Sequence, residues 1–307
     1  MHIRQADVGP NSHSWLTCPS FLVVNHTLPP LNLTQQEIEI MKKLLIAACV
    51  CSIASFAAAE SQAQTQQIRI TVTNNSTTEG VAITPLWLGF HDNSFDTFEV
   101  GGTATAGLEE IAELGSAGGL DGEFNAVGGR VSTVLGSPDG PPPIQAGESV
   151  TSGIFGIDTA ENQYLSYASM ILPSSDFFVA NDNAFDISSI FGTNDSISFN
   201  IGQTVWNAGT EVDDFATSPG NPLFGIPEGD GAAGEDENGV ISAVTGDPYA
   251  NFLNRPDGFD FSPFNFNDAN LYPNGVATVT ITAVPEPTSL GIIGLGLGGL
   301  FLRRRRS

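Results

Sequence analysis

Cysteine is scarce in this chain of 307 residues, and all of it lies in the first 51: Cys18, Cys49 and Cys51. From Gln64 to Ala283 there is none, which excludes disulfides, thiolate metal sites and cysteine nucleophiles there. Positive charge is nearly as rare. The same stretch carries Arg69, Arg130 and Arg255 and no lysine, against 29 Asp and Glu. A surface so acidic repels nucleic acid and anionic lipid, so neither is a fitting partner. Histidine is limited to His91 in that stretch, and no Gly-x-Ser-x-Gly elbow accompanies it. A zinc site or a Ser-His-Asp triad therefore lacks its parts, and no feature singles out a carboxylate pair for glycoside cleavage. Gly-rich phosphate loops of the GxGxxG or Walker kind are also missing. The reading is of a protein that is not an enzyme.

What the chain does have is concentrated first at its ends. Met41-Lys42-Lys43 precedes LLIAACVCSIASFAAA, a basic n-region, an apolar h-region and small residues suited to cleavage at Ala57-Ala58-Ala59 or Ala63. Residues 41–63 are expected to be a secretory signal peptide, and 1–40, which carry no signal or periodic pattern, to be upstream sequence from a misassigned start. Ile46-Ala47-Ala48-Cys49 loosely resembles a lipoprotein cleavage box, but the apolar run before Cys49 is about five residues, short of the usual 7–15. At the other end, Val284-Pro285-Glu286-Pro287 leads into about fourteen apolar residues and then Arg303-Arg304-Arg305-Arg306. A bilayer core needs roughly 20 residues, so the run is a marginal anchor. The arginines would hold its end in the cytoplasm with the rest of the chain across the membrane.

The order of turn, apolar run and basic block resembles the PEP-CTERM sorting signal of Gram-negative bacteria. The resemblance implies that residues 284–307 are a sorting tail, with Pro285, Glu286, Pro287 and the four arginines as its recognition features. It implies an exosortase as partner during export, transient anchoring in the inner membrane through the tail, and a cell-surface or extracellular destination.

Between the ends, residues 64–283 read as strands and loops. Gln67 to Thr73 alternates polar and apolar side chains and stops at Asn74-Asn75. Val81 to Phe90 is a second strand, with an edge or bulge expected at Pro85, which has no N–H to donate. Ser149 to Phe155, Tyr164 to Leu172, Ser196 to Ile201 and Val276 to Thr282 follow. One short helix is expected where Leu108, Ile111 and Leu114 share a face. Spaced strands, turn signals and little helix predict an all-β fold, an antiparallel β-sandwich. Gly229 to Gly239 reads as an acidic, solvated loop without the alternating ligands of an EF-hand.

Four blocks then resemble the spondin N-terminal domain: Thr84 to Asp96 (TPLWLGFHDNSFD), Leu108 to Gly115, Ser166 to Asp182 (SYASMILPSSDFFVAND) and Val205 to Glu211 (VWNAGTE). In animal relatives the domain is an extracellular-matrix adhesion module carrying a calcium ion in its end loops. The resemblance implies metal ligands at Asp176, at Asp158 with a one-residue gap, and at Asn207, where the family has Asp; Glu211 is a further candidate. An asparagine can still coordinate calcium but removes a charge, so affinity should drop unless Glu211, Asp213 or Asp214 compensates. From the residues alone, Ser174-Ser175-Asp176 suits a turn capped by its own side-chain oxygens equally well.

Two functions follow from different classes. One is an exported, non-enzymatic surface or matrix protein, calcium-stabilised, acting in adhesion or in the exopolysaccharide matrix, with extracellular polysaccharide or a surface protein as partner. The other is a secreted polysaccharide hydrolase or glycan-binding lectin.

Overall fold

The structure is a computed structural model that describes residues 34–36, 39, 64–129, 131–136, 143–227 and 234–285. The chain divides into two compact units, Met1–Glu60 and Ser61–Ser307. In the first, Gln35, Gln36 and Glu39 have helical backbone and are exposed. Residues 41–63, expected to be a signal peptide, and the sorting tail after Pro285 fall outside the described residues. Among those described, no helix is long and apolar enough to cross a membrane.

The second unit is an antiparallel two-sheet fold. Its small sheet orders β10 (Ser196–Ile201), β13 (Ala277–Val284), β1 (Thr65–Asn74) and β5 (Ser149–Thr151), with β6 (Phe155–Asp158) also on β1. Alternation decides its faces. Ile68, Ile70 and Val72 of β1 and Val279 and Ile281 of β13 point into the core. Thr71, Thr73, Thr278 and Thr280 point outward, where β-branched side chains suit a pleated, half-solvated surface. Neighbouring hydroxyls meet there, Thr71 with Thr151 at 3.0 Å and Ser198 with Thr280 at 2.8 Å. Gln67 is the register partner of Val284, so the two chain ends of this sheet leave it side by side.

The large sheet orders β12 (Ser242–Ala243), β11 (Trp206–Asn207), β8 (Phe177–Ala180), β7 (Tyr164–Leu172), β3 (Leu86–His91) and β4 (Val131–Leu135). The short β2 (Ala82–Ile83) and β9 (Phe185–Asp186) pair with β7. Every residue of β3 and β8 is buried, because both faces are covered. Leu86, Leu88, Phe90, Phe177 and Val179 face the small sheet, while Trp87, Ala168, Phe178 and Ala180 face two helices, α1 (Ala106–Leu114) and α2 (Gly118–Ala126).

The antiparallel sandwich expected from the sequence is the fold found, with one correction: among the described residues of this unit there are two short α-helices, not one. The second, GGLDGEFNA, is hidden in the sequence by its glycines, which disfavour an isolated helix. Tertiary contact forms it. Leu120 and Phe124 bury against Trp87, whose indole N–H donates to Asp121 at 3.2 Å. Thr105 caps α1, and Gly115 ends it at φ 65°. Pro85 does break the second strand, dividing β2 from β3, but β3 is no edge, since it lies between β7 and β4.

His91 is fully buried. Its Nδ1 accepts from Asn93 N–H at 3.1 Å, which leaves the Nε2 proton to donate to Ser166 Oγ at 3.0 Å. Burial lowers its pKa. The imidazole is a neutral brace between β3 and β7.

Candidate metal centre

The Pro173-Ser-Ser-Asp176 turn joins β7 to β8, and side-chain oxygens hold it. Ser174 Oγ donates to Ile171 O at 2.7 Å and accepts from Phe177 N–H at 3.0 Å. Ser175 Oγ donates to Asp214 O at 2.9 Å and accepts from Asp214 N–H at 3.2 Å. Asp176 is 0 % exposed. Its Oδ2 accepts from Thr210 N–H at 2.9 Å and Glu211 N–H at 3.3 Å, while its Oδ1 is buried with no hydrogen-bond partner.

The neighbouring loop is delivered by β11. Asn207 is the register partner of Phe177, which sets it beside Asp176. The chain then turns at Gly209, with φ 69°, where a Cβ would lie 2.7 Å from Val240 N. Asn207 Oδ1 accepts from Gly209 N–H at 2.6 Å, and its Nδ2 donates to Asp213 Oδ2 at 3.3 Å. Asp213 Oδ1 is the second buried carboxylate oxygen without a partner; among the described residues the other unpartnered buried side-chain atoms are hydroxyl or amide oxygens.

Acidity completes the picture. Burial pushes Asp176 up to about 6, aided by the charge of Glu237. Burial, then Asp176 and Glu237, push Asp213 up to about 7. Burial, then Glu113, push Glu211 up to about 7. No arginine or lysine is among the charges acting on these three. Arg255 is engaged elsewhere, 3.9 Å from Asp247 and 4.4 Å over the Phe261 ring. Leaving a charged oxygen buried and unpaired costs more than the roughly 1–3 kcal/mol of a neutral group. Two things relieve it: a proton, or a hard cation with oxygen ligands.

Of the residues singled out in the sequence, Asp176, Asn207 and Glu211 come together. Asp158 does not join them. It ends β6 opposite Thr65, and its Oδ1 accepts from Ala160 N–H at 2.8 Å. Its carbonyl accepts from Asn162, just before β7, whereas Asp176 follows the far end of that strand. The eight steps of this nine-residue strand, at about 3.3 Å each, put roughly 26 Å between its ends. The acidic loop is exposed from 234 to 238 but tied down: Val212 N–H donates to Glu235 O at 2.9 Å and Glu237 N–H to Thr210 O at 2.9 Å. It adds Glu237 to the site, which composition alone did not signal. Among the described residues no three His, Cys, Asp or Glu converge as a metal-holding group. A cation here would therefore draw part of its shell from backbone, amide and water oxygens, which suits calcium and not zinc.

No curated protein matches the chain. The PEP-CTERM protein-sorting motif matches residues 283–306, which implies export, processing by an exosortase and sorting towards the cell surface, as in Gram-negative bacteria. The Spondin_N family model matches residues 58–223, over half of the chain, and takes in Asp176, Asn207, Glu211 and Asp213. The chain belongs to the spondin N-terminal domain family.

Proposed function

We propose that this is a non-enzymatic surface or matrix protein whose domain is stabilised by calcium, serving adhesion or the extracellular polymer matrix. The observation that carries the reading is the bare, fully buried Asp176 Oδ1 beside Asn207 and Glu211. Asp176 and Glu211 would be carboxylate ligands, with Asn207 at the same loop. Calcium joins carboxylates that otherwise repel, and so fixes the loops from which a partner would be gripped.

Thermal unfolding of the purified protein in EDTA and in about 2 mM calcium, with magnesium as control, tests this. At a hundredfold excess over Kd, calcium adds about 2.7 kcal/mol, which raises Tm by roughly 5–10 °C for a domain of this size. Asp176→Ala should abolish the rise. An unchanged Tm in wild type would refute the calcium reading.

The raised pKa values of Asp176, Glu211 and Asp213 also suit a general acid, the basis of the polysaccharide-hydrolase alternative. Release of reducing ends from polysaccharide, lost in Asp213→Asn, would favour that reading.

A further inference from the structure

We infer that Asp213 supplies the carboxylate this chain lacks at position 207, and that Asn207 is a positioning residue for Asp213. This rests on the calcium reading above and refines it.

The two carboxylates are set up alike. In each, one oxygen is fixed by protein donors and the other is buried and bare. Asp176 Oδ2 is held by the N–H groups of Thr210 and Glu211, and Asp213 Oδ2 by the Asn207 amide at 3.3 Å. In each, Oδ1 has no partner. The Asn207 amide can face only one way. Its oxygen meets the Gly209 N–H, and its NH2 meets a carboxylate; reversing it would set donor against donor and acceptor against acceptor.

The chain path explains how a residue six positions on reaches the same spot. Gly209 reverses the direction, and the pairing of Thr210 and Val212 with Glu235 and Glu237 holds the returning strand. Asp213 comes back to the Asn207 amide, near enough to Asp176 for the charge of that carboxylate to act on it. A divalent cation held by Asp176 and Asp213 would meet two carboxylates, which would restore the charge that asparagine removes. Backbone carbonyls, amide oxygens and water would complete the six to eight oxygens that calcium takes.

The test uses the full chain purified in detergent, with calcium affinity from titration calorimetry and Tm in EDTA. The variants are Asp213→Asn, the exchange Asn207→Asp with Asp213→Asn, and Asp214→Asn as control. Asp213→Asn should raise Tm in EDTA, because a carboxylate with one buried, unpaired oxygen is gone, yet weaken calcium at least tenfold. The exchange should recover most of the affinity, and Asp214→Asn should bind like wild type. Wild-type affinity in Asp213→Asn would overturn the assignment of Asp213 alone. A lower Tm in EDTA with unchanged affinity would make Asp213 structural and overturn it too. Absence of calcium binding in wild type itself would instead overturn the reading on which this one rests.

Discussion

Asp176, Glu211 and Asp213 set the acid–base behaviour of the domain. Their pKa values lie above the ordinary carboxylate range, at about 6, 7 and 7, so the cation-free native state holds more protons than the unfolded chain. Their stabilisation is fully present below the unfolded values near 4 and is lost as pH rises through 6 to 7. Glu113 is raised as well and adds to the trend. His91, lowered by burial, opposes it below about pH 6.5, one group against several. Asp186 and Asp260 are lowered and act only under more acid conditions. In EDTA, Tm should therefore fall between pH 5 and 7, and saturating calcium should flatten the slope. A Tm that climbs across that window without calcium would contradict the assignment.

At the scale of elements, the helix Ala106–Leu114 shows where the pattern stops being a guide. Leu108, Ile111 and Leu114 share a face by spacing, yet Leu108 is fully buried and Leu114 is 70 % exposed. The helix ends at Gly115, which packs against Thr84, while Leu114 beside it turns to solvent. Leu108→Ala should cost about 2–4 kcal/mol and Leu114→Ala less than about 0.5 kcal/mol in urea unfolding. Equal costs would mean that the helix packs otherwise. The same contrast governs what was legible in the sequence. Gln67 to Thr73 and Val276 to Thr282 alternate because one face meets water, and they were read within two residues of their limits. Phe177–Ala180 carries no alternation, since both of its faces are buried, and Trp206–Asn207 is too short to show a period. At the site, Asp176 and the Trp206-Asn-Ala-Gly-Thr-Glu211 turn could be found by family resemblance. Asp213 and Glu237 could be placed only by knowing how the chain folds back at Gly209.

For the whole molecule, the family match ends at residue 223, but the fold does not. The strand Ala277–Val284 lies between two others, in register with Thr65–Asn74 over eight residues and with Ser196–Ile201 over six. It buries Ala277, Val279, Ile281 and Ala283. A chain ending at 223 should fail to give a cooperative unfolding transition, whereas one ending at Pro285 should unfold like the full chain. Cooperative melting of the shorter form would show that the small sheet closes without this strand.

Gln67 and Val284 are register partners, and Asp176 lies at the opposite end of the Tyr164–Leu172 strand from Asp158, which pairs beside Thr65. The exit towards the sorting tail and the end that carries Asp176 are thus opposite poles of this unit. Held by the tail and pulled from the far pole, the domain would carry the load along its last strand. The ladder bonds on both sides of that strand would be strained together in shear rather than opened one at a time, the geometry in which a sheet resists force best.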